Sequence, residues 1–197
     1  MVRAHLDVKA SSTKLLRVRS FDRREGLGIT IGFSTTNKFI SRFIRWITRA
    51  KVSHAWIGFN DSTLGQRMVM QAERWGNEVR PRTKWLTQNK WIAEFEIPQS
   101  PADSALQFIA SFLGSDYDFT SALLLGLKRW FGRWFKRPTQ SPTKLMCSEG
   151  VVRFLQFGQY EFATGLDPEA TSPGELLDLV ANKGLPRLAE PNRTSKP

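Results

Sequence analysis

Apolar residues along this chain recur at two spacings, and the places where one gives way to the other mark the elements. Ile29, Ile31 and Phe33 alternate with small or polar residues, which predicts a strand over 28–33. Phe39, Ile40, Phe43, Ile44, Trp46 and Ile47 then recur at helical spacing behind an N-cap offered by Thr35, Thr36 or Asn37. Arg42, Arg45 and Arg49 fall on the opposite face of that helix. Two strands, 54–59 and 67–73, flank the turn-rich stretch 60–65. Another strand, 91–97, sets Trp91, Ala93, Phe95 and Ile97 on one face.

The second half reads as helical. Ser100 and Pro101 start a helix that Gly114 stops. Residues 123–135 form another, and Cys147 opens one that ends at Gly158. Ser172-Pro173-Gly174-Glu175 is a capping-box start for a short last helix. The mixture predicts an α+β fold, with an antiparallel sheet packed against helices. At 197 residues the chain suits one domain. We divide it into a basic N-terminal segment (1–20), a domain (21–184) that contains a basic amphipathic insertion (120–146), and a flexible tail (185–197).

Charge sharpens the picture. The net charge is +11, but it is unevenly placed: residues 1–54 carry +9 and residues 120–147 carry +6, while the other two segments are each −2. Placing Leu123, Leu124, Leu127, Trp130, Phe131, Trp134 and Phe135 on a helical wheel gathers them within an arc of about 140°. Lys128, Arg129, Arg133, Lys136 and Arg137 lie outside it. Such a helix either packs its apolar face on the core or lies at a membrane interface. Arg42 and Arg45 on the first helix, with Lys128, Arg129 and Arg133 on the later one, are the candidates for binding an anionic surface. An acidic membrane or an envelope polymer fits this better than nucleic acid, since no known nucleic-acid-binding motif is present. The first residues lack the apolar run of a secretion signal, so synthesis in a cytoplasm is the expectation, as for a bacteriophage protein acting from the virion or within the host cell.

The candidate chemistry centres on one thiol. Cys147 is the single cysteine, which excludes an internal disulfide, and with only His5 and His54 beside it no metal site or cofactor is expected. A cysteine at a helix start has its thiolate favoured by the helix dipole and free N–H groups, and the same groups can hold an oxyanion. A buried, inert cysteine is the commoner fate. His54 begins a strand. A regular hairpin centred between Thr63 and Leu64 pairs residues whose numbers add to 127, which sets His54 opposite Glu73. Glu73 would then accept one imidazole N–H and leave the other nitrogen for Cys147.

These residues form an ordered set that resembles a known family. Val52-Ser53-His54-Ala55-Trp56-Ile57-Gly58-Phe59, Val69-Met70-Gln71-Ala72-Glu73, Asp116-Tyr117-Asp118-Phe119, Cys147-Ser148-Glu149-Gly150-Val151-Val152 and Thr171-Ser172-Pro173-Gly174-Glu175-Leu176 are similar to successive motifs of circularly permuted NlpC-type papain-like cysteine hydrolases, the YiiX-like branch above all. The resemblance spans about residues 26–180. It implies a papain-like fold with circularly permuted topology. Cys147 is then the nucleophile, His54 the base and later the acid, and Glu73 the orienting group. Tyr117 and Ser148 line the site and help hold the oxyanion. The implied function is a thiol hydrolase, a peptidase or amidase that cleaves an amide bond, with peptidoglycan peptide a candidate substrate. The alternatives are a thiol acyl hydrolase or acyltransferase acting on lipid at an anionic membrane, and a non-catalytic basic binding module.

Overall fold

The structure, a computed structural model, describes residues 28–73, 76–98, 105–107, 110–111, 113 and 147–191. Five antiparallel strands form one sheet: β1 (Thr30–Thr35), β2 (His54–Asp61), β3 (Gln66–Glu73), β4 (Gly76–Pro81) and β5 (Lys90–Glu96). Their order is β4-β3-β2-β1-β5. The described residues include helices α1 (Phe39–Thr48), α2 (Arg82–Leu86), α3 (Cys147–Phe157) and α4 (Pro173–Asn182), with a 3-10 turn at Glu161–Ala163; residues 105–107 and 110 are helical too, within the helix expected from Ser100 to Gly114. The expected α+β architecture, a sheet packed against helices, is therefore present. None of these helices is long and apolar enough to cross a membrane.

The strand period explains how the sheet is covered. Ile31 and Phe33 of β1, Ala55 and Ile57 of β2, and Ala93 and Phe95 of β5 join one buried cluster with Val151, Val152, Phe154 and Leu155 of α3 and Leu176 and Val180 of α4. Trp56, Val69, Trp85 and Trp91 form a second cluster, with Trp85 supplied by α2. Every residue of β1 is buried, as befits the strand next to the centre with both faces covered. Gly32 is required by this arrangement: a Cβ there would stand 2.1 Å from the Trp56 ring.

The second cluster sits beside a buried ionic group. Glu94 is fully buried. It accepts from Arg67 Nη2 at 2.9 Å and from Thr30 Oγ1 at 2.8 Å, and it is paired closely with Arg82. Burial pushes the Glu94 carboxyl up, but the Arg82 and Arg67 guanidinium groups outweigh that and hold it below its ordinary value.

The hairpin register follows the expected sum from Asp61–Gln66 to Ile57–Met70, but the ladder ends there and does not pair His54 with Glu73. Asp61 closes the turn by accepting the N–H groups of Thr63 and Leu64, both at 2.9 Å. The capping box at Ser172 is also present: its Oγ accepts from Glu175 N–H, and Glu175 Oε2 accepts from Ser172 N–H at 2.9 Å. Two expectations are corrected. The N-cap of α1 is Lys38, which makes no side-chain cap, and not Thr35, Thr36 or Asn37. Residues 76–86 form a strand and a short helix where none was expected. The helix expected over 123–135 lies outside the described residues, as do the N-terminal segment and residues 192–197 of the tail; the rest of the tail runs beside β5, where Glu96 N–H donates to Pro186 O and Leu188 N–H to Glu94 O, both at 2.9 Å.

Candidate active site

The site assembles where β2 begins. β1 leads into α1, and α1 returns the chain through Arg49, whose φ of 54° turns it toward β2. Three buried hydroxyls fasten this return. Thr35 Oγ1 lies 3.1 Å from Ser41 Oγ and 3.2 Å from Ser53 Oγ, and Ser41 Oγ also bonds Ser53 Oγ. The residue just before His54 is thereby tied to the end of β1 and to the first turn of α1. Ser34 lies opposite His54 across the β1–β2 pair.

On the other side, Gln71 of β3 receives the imidazole. His54 Nε2 stands 2.9 Å from Gln71 Oε1, and Trp85 Nε1 stands 2.7 Å from the same oxygen. Gln71 Nε2 donates to Glu78 Oε1 at 2.9 Å, and Arg80 Nε pairs with that carboxylate at 2.7 Å. Donor and acceptor chemistry fixes the amide. An indole N–H can only donate and a carboxylate can only accept, so the oxygen of Gln71 faces Trp85 and its nitrogen faces Glu78. His54 Nε2 must then carry a proton, which leaves Nδ1 for the sulfur of Cys147.

Cys147 is the first residue of α3 and is 7% exposed. Burial pushes its thiol up. The charge of His54 and its hydrogen bond outweigh burial, with further help from the backbone N–H groups of Ala55 and Ser148, and the thiol is held below its ordinary value. The imidazole responds in the opposite sense. Burial lowers its pKa, but the Cys147 charge and hydrogen bond raise it, followed by the Glu73 charge and the Gln71 hydrogen bond, to about 9. The two shifts run in opposite senses, and both favour the thiolate–imidazolium form of the pair. A cleft of about 310 Å³, open solvent at its mouth included, is lined by Cys147 together with Ala55, Gln71, Ala72, Asn77 and Gly150.

Cys147, His54 and Ser148 therefore meet, with Ser148 acting through its backbone N–H. Glu73 lies near enough for its charge to act on His54, but the ring's hydrogen bond goes to Gln71 instead. Gln71 was not among the expected residues. The signal that finds it is the strand period: Gln71 shares a face with Glu73, two residues nearer the hairpin turn. Arg42 is exposed on α1, and Arg45 is half-buried with its Nε sealed from water and without an acceptor among the described residues. Tyr117, Lys128, Arg129 and Arg133 lie outside the described residues. Among those that are described, no three His, Cys, Asp or Glu side chains gather as a metal would need. Comparison of the chain with protein-family models and with curated proteins gives no match.

Proposed function

We propose that this protein is a thiol hydrolase of the papain-like kind, with permuted topology, acting on an amide bond of a peptide. The observation that carries the reading is the chain of contacts Trp85–Gln71–His54–Cys147, which sets a thiol with a lowered pKa against an oriented imidazole beside a cleft. The order of His54, Gln71 and Cys147 along the sequence, and the motif resemblance around them, support the same reading.

The chemistry follows from those groups. The Cys147 thiolate adds to the scissile carbonyl carbon, and the carbonyl π electrons move to oxygen. Backbone N–H groups at the start of α3 are suited to that oxyanion. Its collapse expels the amine, which takes the proton from His54 Nδ1 and leaves a thioester on Cys147. Neutral His54 then draws a proton from water as the water attacks the thioester. The acid product leaves, and the thiolate–imidazolium pair returns. Gln71 keeps the proton on Nε2 throughout, so the nitrogen facing sulfur is the one that exchanges protons.

Peptidoglycan peptide is the first substrate to test. Purified protein incubated with cell-wall peptides releases new amine termini, scored by mass spectrometry, and Cys147→Ala abolishes the release. Full activity in Cys147→Ala overturns the mechanism. Transfer or hydrolysis of a lipid acyl group is the second reading, favoured by the aromatic and cationic surface of α1. It predicts loss of acyl ester in place of new amine.

A further inference from the structure

Helix α1 carries large aromatic side chains at its surface. At 100° per residue, Phe39, Phe43 and Trp46 fall within about 60° of one another, on one stripe of the helix. Ser41, which is buried, falls on the side away from that stripe. The stripe faces solvent: Phe39 is 81% exposed and Trp46 is 59% exposed. The rings form a continuous ridge. Phe39 stacks on Phe43 at 6.4 Å between centroids and 15° between planes, and Phe43 meets Trp46 at 6.2 Å. Large aromatic side chains left in water at this density mark an interaction surface.

The charge beside the ridge says what it meets. Arg42 and Arg45 fall on one flank of the stripe, roughly 60–120° round the helix from Phe39, and Lys38 and Arg49 stand at the helix's two ends. Lys38, Arg42 and Arg49 are exposed. No Asp or Glu occurs between Glu25 and Asp61, so this flank has no acidic residue from its own stretch of chain to neutralise it. A protruding aromatic ridge with cations along one side is the arrangement of an interfacial helix, its rings at the headgroup–acyl boundary and its cations at lipid phosphates. Phe39 and Phe43 already stack on each other, which favours insertion of apolar bulk over the open ring faces that nucleic-acid bases need.

We infer that α1 docks the protein on an anionic phospholipid bilayer through Phe39, Phe43 and Trp46, with Lys38, Arg42 and Arg49 on the headgroups. The helix leads directly into Val52, Ser53 and His54, so docking sets the end of the sheet that carries His54 next to the membrane. The inference holds whether or not Cys147 is catalytic.

Sedimentation with vesicles of phosphatidylcholine alone and of phosphatidylcholine with 30% phosphatidylglycerol tests it. The full chain binds the anionic vesicles at least tenfold more tightly. Phe39→Ser with Trp46→Ser, and separately Arg42→Glu with Arg49→Glu, each weaken that binding at least tenfold at an unchanged melting temperature. Cys147→Ala binds like the parent, which separates this surface from the thiol reading. Should the serine variant melt early, Trp46→Phe decides: it binds normally, but brominated lipid quenches less of its tryptophan fluorescence than of the parent's. No preference for anionic vesicles, parental binding by both charge and ridge variants, or quenching that Trp46→Phe leaves unchanged overturns the inference. So does loss of single-stranded oligonucleotide binding in the ridge variant with vesicle binding intact.

Discussion

Gln71→Leu is the most informative substitution outside Cys147 and His54. Leucine fills nearly the same space and offers no hydrogen bond. Three contacts disappear: His54 Nε2 at 2.9 Å, Trp85 Nε1 at 2.7 Å and Glu78 Oε1 at 2.9 Å. Glu78 keeps Arg80, so its loss is small. The Trp85 indole is fully buried and the imidazole half-buried, so both N–H groups are left without an acceptor. Each such donor costs about 1–3 kcal/mol, with the half-buried imidazole at the lower end. The expected destabilisation is about 2–4 kcal/mol, read as a lowered urea midpoint at constant slope. The second consequence is chemical. Without the Gln71 oxygen, nothing holds the proton on Nε2, and the ring is free to turn from Cys147. Hydrolysis falls by about 10–100-fold, the range found when an outer partner that orients an imidazole is removed. The thiol's alkylation midpoint rises, because the imidazolium supports it less well. Gln71→Glu retains the acceptor and restores the low midpoint, although its new oxygen faces Glu78 and stability is not restored. A Gln71→Leu protein with parental stability and a parental alkylation profile refutes the reasoning.

Other outcomes follow from single observations. Because the Cys147 charge and hydrogen bond raise His54 to about 9 against the pull of burial, the imidazolium is present below that pH and lost above it; kcat therefore falls with an alkaline midpoint near 9 as the leaving amine loses its proton donor. Glu94→Gln leaves two arginines facing a neutral group and lowers unfolding free energy by about 3–5 kcal/mol in denaturant titration. In the parent, the Glu94 contribution is complete above its ordinary value of 4.5 and is lost as pH falls through the lower folded value, so acid unfolding of Glu94→Gln is shallower. Ser172→Ala removes one arm of the capping box on α4 and lowers stability by about 1 kcal/mol in the same titration, with no change in alkylation of Cys147.

The sequence is legible where hydrophobic period and turn chemistry agree. The Asp61 turn fixes the hairpin centre, so the β2–β3 register could be derived from residue numbers alone. Cys147 at a helix start and Ser172 in its capping box are local signals of the same kind. β4 is not legible because Gly76-Asn77-Glu78-Val79-Arg80-Pro81 has one large apolar residue; its strand form comes from pairing with β3, which no window of its own sequence reveals. α2 is five residues long, too short for a period to repeat. Gln71 escapes for a third reason. Charge alone points to a carboxylate as the orienting group, and a neutral amide becomes one only when Trp85 and Glu78 fix which end faces His54. Glu73, the residue that charge favours, contributes its field and not the hydrogen bond. Gly32 shows the same dependence on the distant chain, since its need to be glycine comes from Trp56 on the next strand.

The central claim is that His54 and Cys147 form an ion pair that keeps the sulfur ionised. The rate of iodoacetamide alkylation of Cys147, followed by mass spectrometry from pH 4 to 10 in the parent and in His54→Ala, tests it directly. The account predicts a parent midpoint well below the roughly 8.5 of a free thiol, and a midpoint at least one pH unit higher in His54→Ala. A parent midpoint at or above the free-thiol value, or one that His54→Ala leaves in place, contradicts it.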